Sequence, residues 1–86
     1  MASYEVVFKA SVSKDLQPLP RKDVQRILDA IRSLAGNPRP PQCRKLTGED
    51  KYRLRCGDYR VLYQIVDRIL TVCVVKVGHR KDVYRD

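Results

Sequence analysis

Arg53, Arg55 and Arg60 sit inside KYRLRCGDYRVLYQIV (residues 51–66), a stretch otherwise built of Tyr, Leu, Val and Ile. Arginine stays charged in proteins and presents a planar fork of N–H donors that matches carboxylate and phosphate oxygens. The chemistry such residues serve is anion binding and stabilisation of developing negative charge. Strand side chains alternate faces, so Tyr52, Leu54 and Cys56 share one face and Arg53 and Arg55 the other. A two-residue turn at Gly57-Asp58 sets Cys56 opposite Tyr59, Arg55 opposite Arg60, Leu54 opposite Val61 and Tyr52 opposite Tyr63. Directly opposed residues lie on one face, which gathers the arginines together. Like charges placed opposite one another destabilise a sheet. Either Glu49, Asp50 or Asp58 neutralises the Arg55–Arg60 pair, or the pair is an anion site, most simply for phosphate. A second two-residue turn at Asp67-Arg68 would set Val66 opposite Ile69 and Arg60 opposite Val75. His79 shares the parity of Val75 and would emerge at the end of the arginine face.

The elements that position these residues are legible upstream. Residues 3–9 alternate β-branched and aromatic side chains and predict a strand. Residues 11–19 offer serine N-caps and Val12, Leu16 and Leu19 at helical spacing, with Pro18 limiting a short helix. Residues 21–35 carry Val24, Ile27, Leu28, Ile31, Leu34 and Ala35 in one apolar stripe. Pro20 stands at the start of that helix and Gly36-Asn37-Pro38 at its end. The opposite face, with Arg21, Lys22, Arg26, Asp29 and Arg32, reads as solvated. Residues 36–50 read as loop, with a short extended segment at 44–46. Strands at 51–56, 59–66 and 69–77 follow, and turns this short make them antiparallel neighbours. The expected fold class is α+β, a single domain over residues 1–86 in the order β-α-α-β-β-β. Two N-terminal helices would pack on one face of an antiparallel sheet.

Composition narrows the function classes. The chain has 86 residues, with 18 Lys and Arg against 10 Asp and Glu, a net charge of +8 and a pI near 9.8. A chain this short buries only roughly 60–65% of the surface its unfolded form exposes, which leaves little room for a deep pocket. The N-terminal twenty residues are neutral, and the positive excess spreads over the rest. Such a surface suits a polyanion. MASYEVVFKA does not read as a secretory signal, and no apolar run approaches membrane-helix length. Cys43, Cys56 and Cys73 form no C-x-x-C pair, and with the single His79 they do not make a four-ligand zinc site. Reduced thiols are expected, with Cys73 in the core. No metal and no cofactor is expected.

Four segments, SKDLQPLP (13–20), NPRPPQCRKLTG (37–48), YRLRCGDYRVLYQI (52–65) and VVKVGHRKDVYR (74–85), together resemble the RelE/ParE superfamily of bacterial toxins from type II toxin–antitoxin pairs, and within it the RelE branch. The resemblance spans nearly the whole chain, and the hairpin with its Val-Gly-His-Arg ending is its most specific part. It implies a ribosome-dependent endoribonuclease, an mRNA interferase that cuts mRNA in the ribosomal A site and stops translation. It also implies a cytoplasmic protein whose partners are a cognate antitoxin, the ribosome with its rRNA, and mRNA, with no membrane. Carried residue by residue, it implies Arg60 and Arg80 for transition-state charge and leaving-group electrostatics. Tyr84 would stack on a base, and Arg53 and Arg55, with Lys51 and Lys81, would hold RNA. The family's best-studied members carry a lysine at the position of Arg55, proposed as general base, a role arginine fills poorly. His79 and Glu49 are the other candidates for the proton. Two alternatives stay open: a ParE-like DNA gyrase inhibitor, and an RNA-binding domain without catalysis.

Overall fold

The computed structural model describes residues 3–46, 48 and 50–79. The order is β1 (Glu5–Phe8), α1 (Val12–Leu16), α2 (Arg21–Ser33), β2 (Cys43–Lys45), β3 (Lys51–Cys56), β4 (Tyr59–Val66) and β5 (Thr71–His79). A single 3₁₀ turn, Asp67–Ile69, separates β4 from β5. The strands form one sheet in the order β1-β5-β4-β3-β2. The meander β3-β4-β5 is antiparallel as the short turns require, β2 extends it at one edge, and β1 closes the other edge parallel to β5. The sheet is therefore mixed, and the α+β class with two helices on one face stands.

The helix stripe forms the core as its spacing predicts. Ile27, Ile31 and Leu34 are fully buried against Leu54, Val61, Tyr63, Val72, Val74 and Val77, with Val12 from α1 beside them. Burying an aliphatic side chain of this size contributes roughly 1.5–3 kcal/mol. α2 ends at Ser33 in tightened turns, with Gly36 and Asn37 both donating to the Ser33 carbonyl. Pro38 follows, and its carbonyl accepts a 2.8 Å hydrogen bond from the buried Tyr63 hydroxyl. Burial pushes the Tyr63 phenol well above its usual range, so it stays a donor. That bond, and a 3.0 Å bond from Cys43 N–H to the Pro40 carbonyl, fix the path of the loop into β2.

A cluster at the far end of the sheet ties the same loop to the β4–β5 turn. Arg39 donates to both carboxylate oxygens of Asp67, at 2.9 and 3.3 Å, and its Nε donates to the Tyr52 hydroxyl at 3.1 Å. Tyr4 donates to Asp67 at 2.6 Å. The Arg39 and Tyr4 hydrogen bonds hold the Asp67 carboxyl below the usual carboxylate range.

The hairpin register is the one that parity dictates: Tyr52↔Tyr63, Leu54↔Val61, Arg55↔Arg60 and Cys56↔Tyr59, with Gly57 at φ +60° as the first turn residue. A positive φ there favours glycine, which has no Cβ to clash. The next turn differs from expectation. It is the 3₁₀ turn closed by Leu70 in the left-handed region (φ 48°), so Val66 opposes Thr71 and not Ile69. A β-bulge then sets Leu62 opposite Lys76 while Tyr63 opposes Val74, skipping Val75. The bulge inserts one residue and flips the parity of everything beyond it. Arg60 consequently opposes Gly78, and His79 opposes Tyr59. Cys73 is likewise half-buried opposite Gln64, on the face away from the helices, because the fully buried neighbours Val72 and Val74 take the core side.

Candidate functional site

Across the sheet from the helices, two opposed arginine pairs lie side by side. Arg44 of β2 opposes Arg53 of β3, and Arg55 of β3 opposes Arg60 of β4. Together with Gln42 these four line a cavity of about 250 Å³. No described carboxylate lines it. Arg60 is the enclosed member, only 9% exposed. Its strand is internal to the sheet, between β3 and β5, and the residue opposite it on β5 is Gly78. The glycine contributes no side chain of its own beside Arg60, which leaves room for the arginine stem to lie on the sheet. Arg55, near the hairpin end, is exposed. The arrangement gathers four permanently charged guanidinium side chains around a concave space. It can hold an anion and stabilise charge that grows on it.

The expectation for Arg53, Arg55 and Arg60 as a cluster on one face matches this geometry. Lys51 lies on the same face one alternation beyond Arg53, opposite Gln64 and outside the cavity lining. His79 does not join them. The bulge turns it to the helix side, where its ring meets the Tyr59 ring edge-on at 5.9 Å. Tyr59 in turn donates a 2.8 Å hydrogen bond to Asp23 of α2, which holds the phenol protonated by raising its pKa. Arg80, Lys81, Tyr84 and Glu49 lie outside the described residues. Gln42 and Arg44 are cavity residues that the sequence reading left unassigned. Arg44 falls in the extended segment at 44–46, and only its register against Arg53 reveals its place. No described group of His, Cys, Asp or Glu is placed to hold a metal ion, and no described helix is long and apolar enough to cross a membrane.

Comparison with known proteins agrees with this architecture. Residues 6–84 match the family described as ParE toxin of type II toxin–antitoxin system, parDE. The chain belongs to the RelE/ParE toxin superfamily. It is 35% identical to toxin RelG of Mycobacterium tuberculosis, over 95% of this chain and 97% of that one. Among solved structures it resembles an archaeal RelE–RelB complex from Pyrococcus horikoshii, with a TM-score of 0.82, 33% identity, and coverage of 91% of this chain and 96% of that one. It also resembles the RelBE2 toxin–antitoxin complex of Mycobacterium tuberculosis, with a TM-score of 0.80, 31% identity, and coverage of 91% and 99%. In this RelE-like toxin, then, the helices occupy one face of the sheet and the arginine cavity the other.

Proposed function

We propose that this toxin is a ribosome-dependent endoribonuclease that cleaves mRNA in the decoding site, and that the arginine cavity is where the scissile phosphate sits. The observation that carries the reading is the Arg55–Arg60 pair, opposed across β3 and β4 inside one cavity. In metal-free RNA cleavage the substrate's 2′-oxygen attacks the adjacent phosphorus and the bond to the 5′-oxygen breaks. The 2′-hydroxyl loses its proton and the departing 5′-oxygen gains one, leaving a 2′,3′-cyclic phosphate. Negative charge accumulates on the phosphoryl oxygens in the transition state, and donors fixed around them lower its energy. Arg60, enclosed and beside Gly78, takes that role, and Arg55 completes the fork from the neighbouring strand. Arg80 and Tyr84 would add leaving-group electrostatics and base stacking. Neither Gln42 nor any of the arginines accepts a proton readily, and His79 faces the other way. The described cavity residues therefore contribute chiefly electrostatics, and Glu49, outside the described residues, is the other candidate for the proton. The ribosome contributes substrate positioning, which is worth orders of magnitude in rate. That division suits an open cavity of this size.

The antitoxin partner follows from the same reading. The related RelE proteins of Pyrococcus horikoshii and Mycobacterium tuberculosis are seen in toxin–antitoxin complexes, and a +8 surface suits an acidic partner segment. The site of action would be the cytoplasm, where ribosomes and mRNA meet. The family's ParE branch supports a rival reading, DNA gyrase inhibition. The two separate in vitro. Incubation with ribosomes programmed with mRNA should cut the message in the A site, and Arg60→Ala should slow cutting by roughly 10²-fold or more while the fold is retained. An uncut message combined with inhibited gyrase supercoiling would transfer the protein to the ParE branch.

A further inference from the structure

We propose that Arg44, which no family resemblance assigned, is a further substrate-binding residue, and that it forms with Arg53 a clamp for the phosphate adjacent to the scissile one. The inference deepens the ribonuclease reading and rests on it for the identity of the ligand. Arg44 and Arg53 are directly opposed in the β2–β3 register, as Arg55 and Arg60 are in the β3–β4 register, and all four line one cavity. Arg53 and Arg55 are two positions apart on a continuous strand, an offset of about 6.6 Å along β3. That is the scale on which successive phosphates of an unstacked RNA strand are spaced.

The backbone at Arg44 is held in place. Its neighbour Cys43 donates to the Pro40 carbonyl at 3.0 Å, and Leu46 is buried and donates to the Lys51 carbonyl at 2.9 Å. The short β2 strand is pinned on both sides of Arg44, so the side chain projects from a fixed base.

The test uses the whole protein and ribosomes programmed with an mRNA whose A-site codon is 2′-O-methylated and so cannot be cut. Each linkage of that codon is replaced in turn by a neutral methylphosphonate, and toxin affinity is measured for wild type, Arg44→Ala, Arg53→Ala and Arg60→Ala. On the all-phosphate codon Arg44→Ala and Arg53→Ala should each weaken binding roughly tenfold, the scale of one charge-assisted contact. One linkage should exist at which neutralisation removes both of these losses, leaving the variants within about twofold of wild type. The linkage that removes the Arg60→Ala loss should be the adjacent one. The clamp is refuted if Arg44→Ala binds the all-phosphate codon like wild type, if its loss survives neutralisation at every linkage, or if Arg44 and Arg60 respond to the same linkage. Circular dichroism confirms folding, and Arg44 is an exposed residue of an edge strand whose removal opens no core. Cleavage of the unmethylated message is scored separately. Binding with the predicted linkage pattern but no cleavage would refute the ribonuclease reading alone, and cleavage with an unaffected Arg44→Ala would refute the clamp alone.

Discussion

Asp15 is the residue whose loss should expose how the site is held. β1 runs beside β5 only from Thr71 to Val74. Beyond that point no described strand neighbours β5 on its outer side, and the Val77 N–H points to where β1 has already left. The Asp15 carboxylate of α1 accepts that N–H at 3.1 Å. Val77 is buried, so Asp15→Ala would leave a backbone donor with little access to water. Hydrogen bonds to charged groups contribute about 1.5–3 kcal/mol, and a donor left unsatisfied costs on the same scale. We expect Asp15→Ala to destabilise the fold by about 2 kcal/mol, which lowers Tm by about 8–16 °C for a domain of this size. Asp15→Asn keeps an acceptor oxygen and should lose about half as much. Asp29→Ala is the internal control. Its 3.1 Å pair with Arg32 is exposed on both sides, and its removal should cost under about 0.5 kcal/mol. Thermal unfolding followed by circular dichroism reads all three. Because β5 carries Gly78 opposite Arg60, cleavage by Asp15→Ala should fall even at temperatures where it remains folded. An Asp15→Ala loss no larger than that of Asp29→Ala would show that the anchor does not exist.

Other expectations follow from the same structure. Tyr63→Phe removes the buried hydrogen bond to the Pro38 carbonyl and should cost about 1–1.5 kcal/mol by urea titration, with the m-value unchanged. His79→Ala should leave cleavage on programmed ribosomes within about threefold of wild type, because the ring packs against Tyr59 on the helix face, and a loss approaching that of Arg60→Ala would reinstate it as an acid or base. The Asp67 carboxyl is held below its unfolded value by Arg39 and Tyr4, so its contribution to stability is present above about pH 4 and is lost as pH falls through the folded value. Asp67→Asn should therefore flatten the acid limb of the stability profile and leave its neutral region parallel to wild type.

Much of this was legible in the chain. Alternation in residues 51–66, with a Gly-Asp turn, determined the β3–β4 register and the face on which Arg53, Arg55 and Arg60 lie. The 3.6-residue spacing of Ile27, Ile31 and Leu34 identified the helix stripe that covers the opposite face. What escaped was non-local. A bulge leaves no mark in a run of Val and Cys, because every residue there suits either face, and one inserted residue moved His79 from the arginine side to the helix side. The parallel pairing of β1 with β5 and the alignment of Arg44 with Arg53 depend on which edges meet in the folded sheet. Neither edge announces its neighbour in the local pattern.

In the proposed function, a cavity lined by four arginines cuts RNA on the ribosome. Mapping mRNA 5′ ends in cells after induction of the wild-type toxin, with Arg60→Ala induced in parallel, tests it most directly. New ends should appear inside translated reading frames, keep a constant phase relative to the codon, and vanish with Arg60→Ala. Ends spread equally through untranslated regions, or an unchanged set of ends with Arg60→Ala, would contradict it.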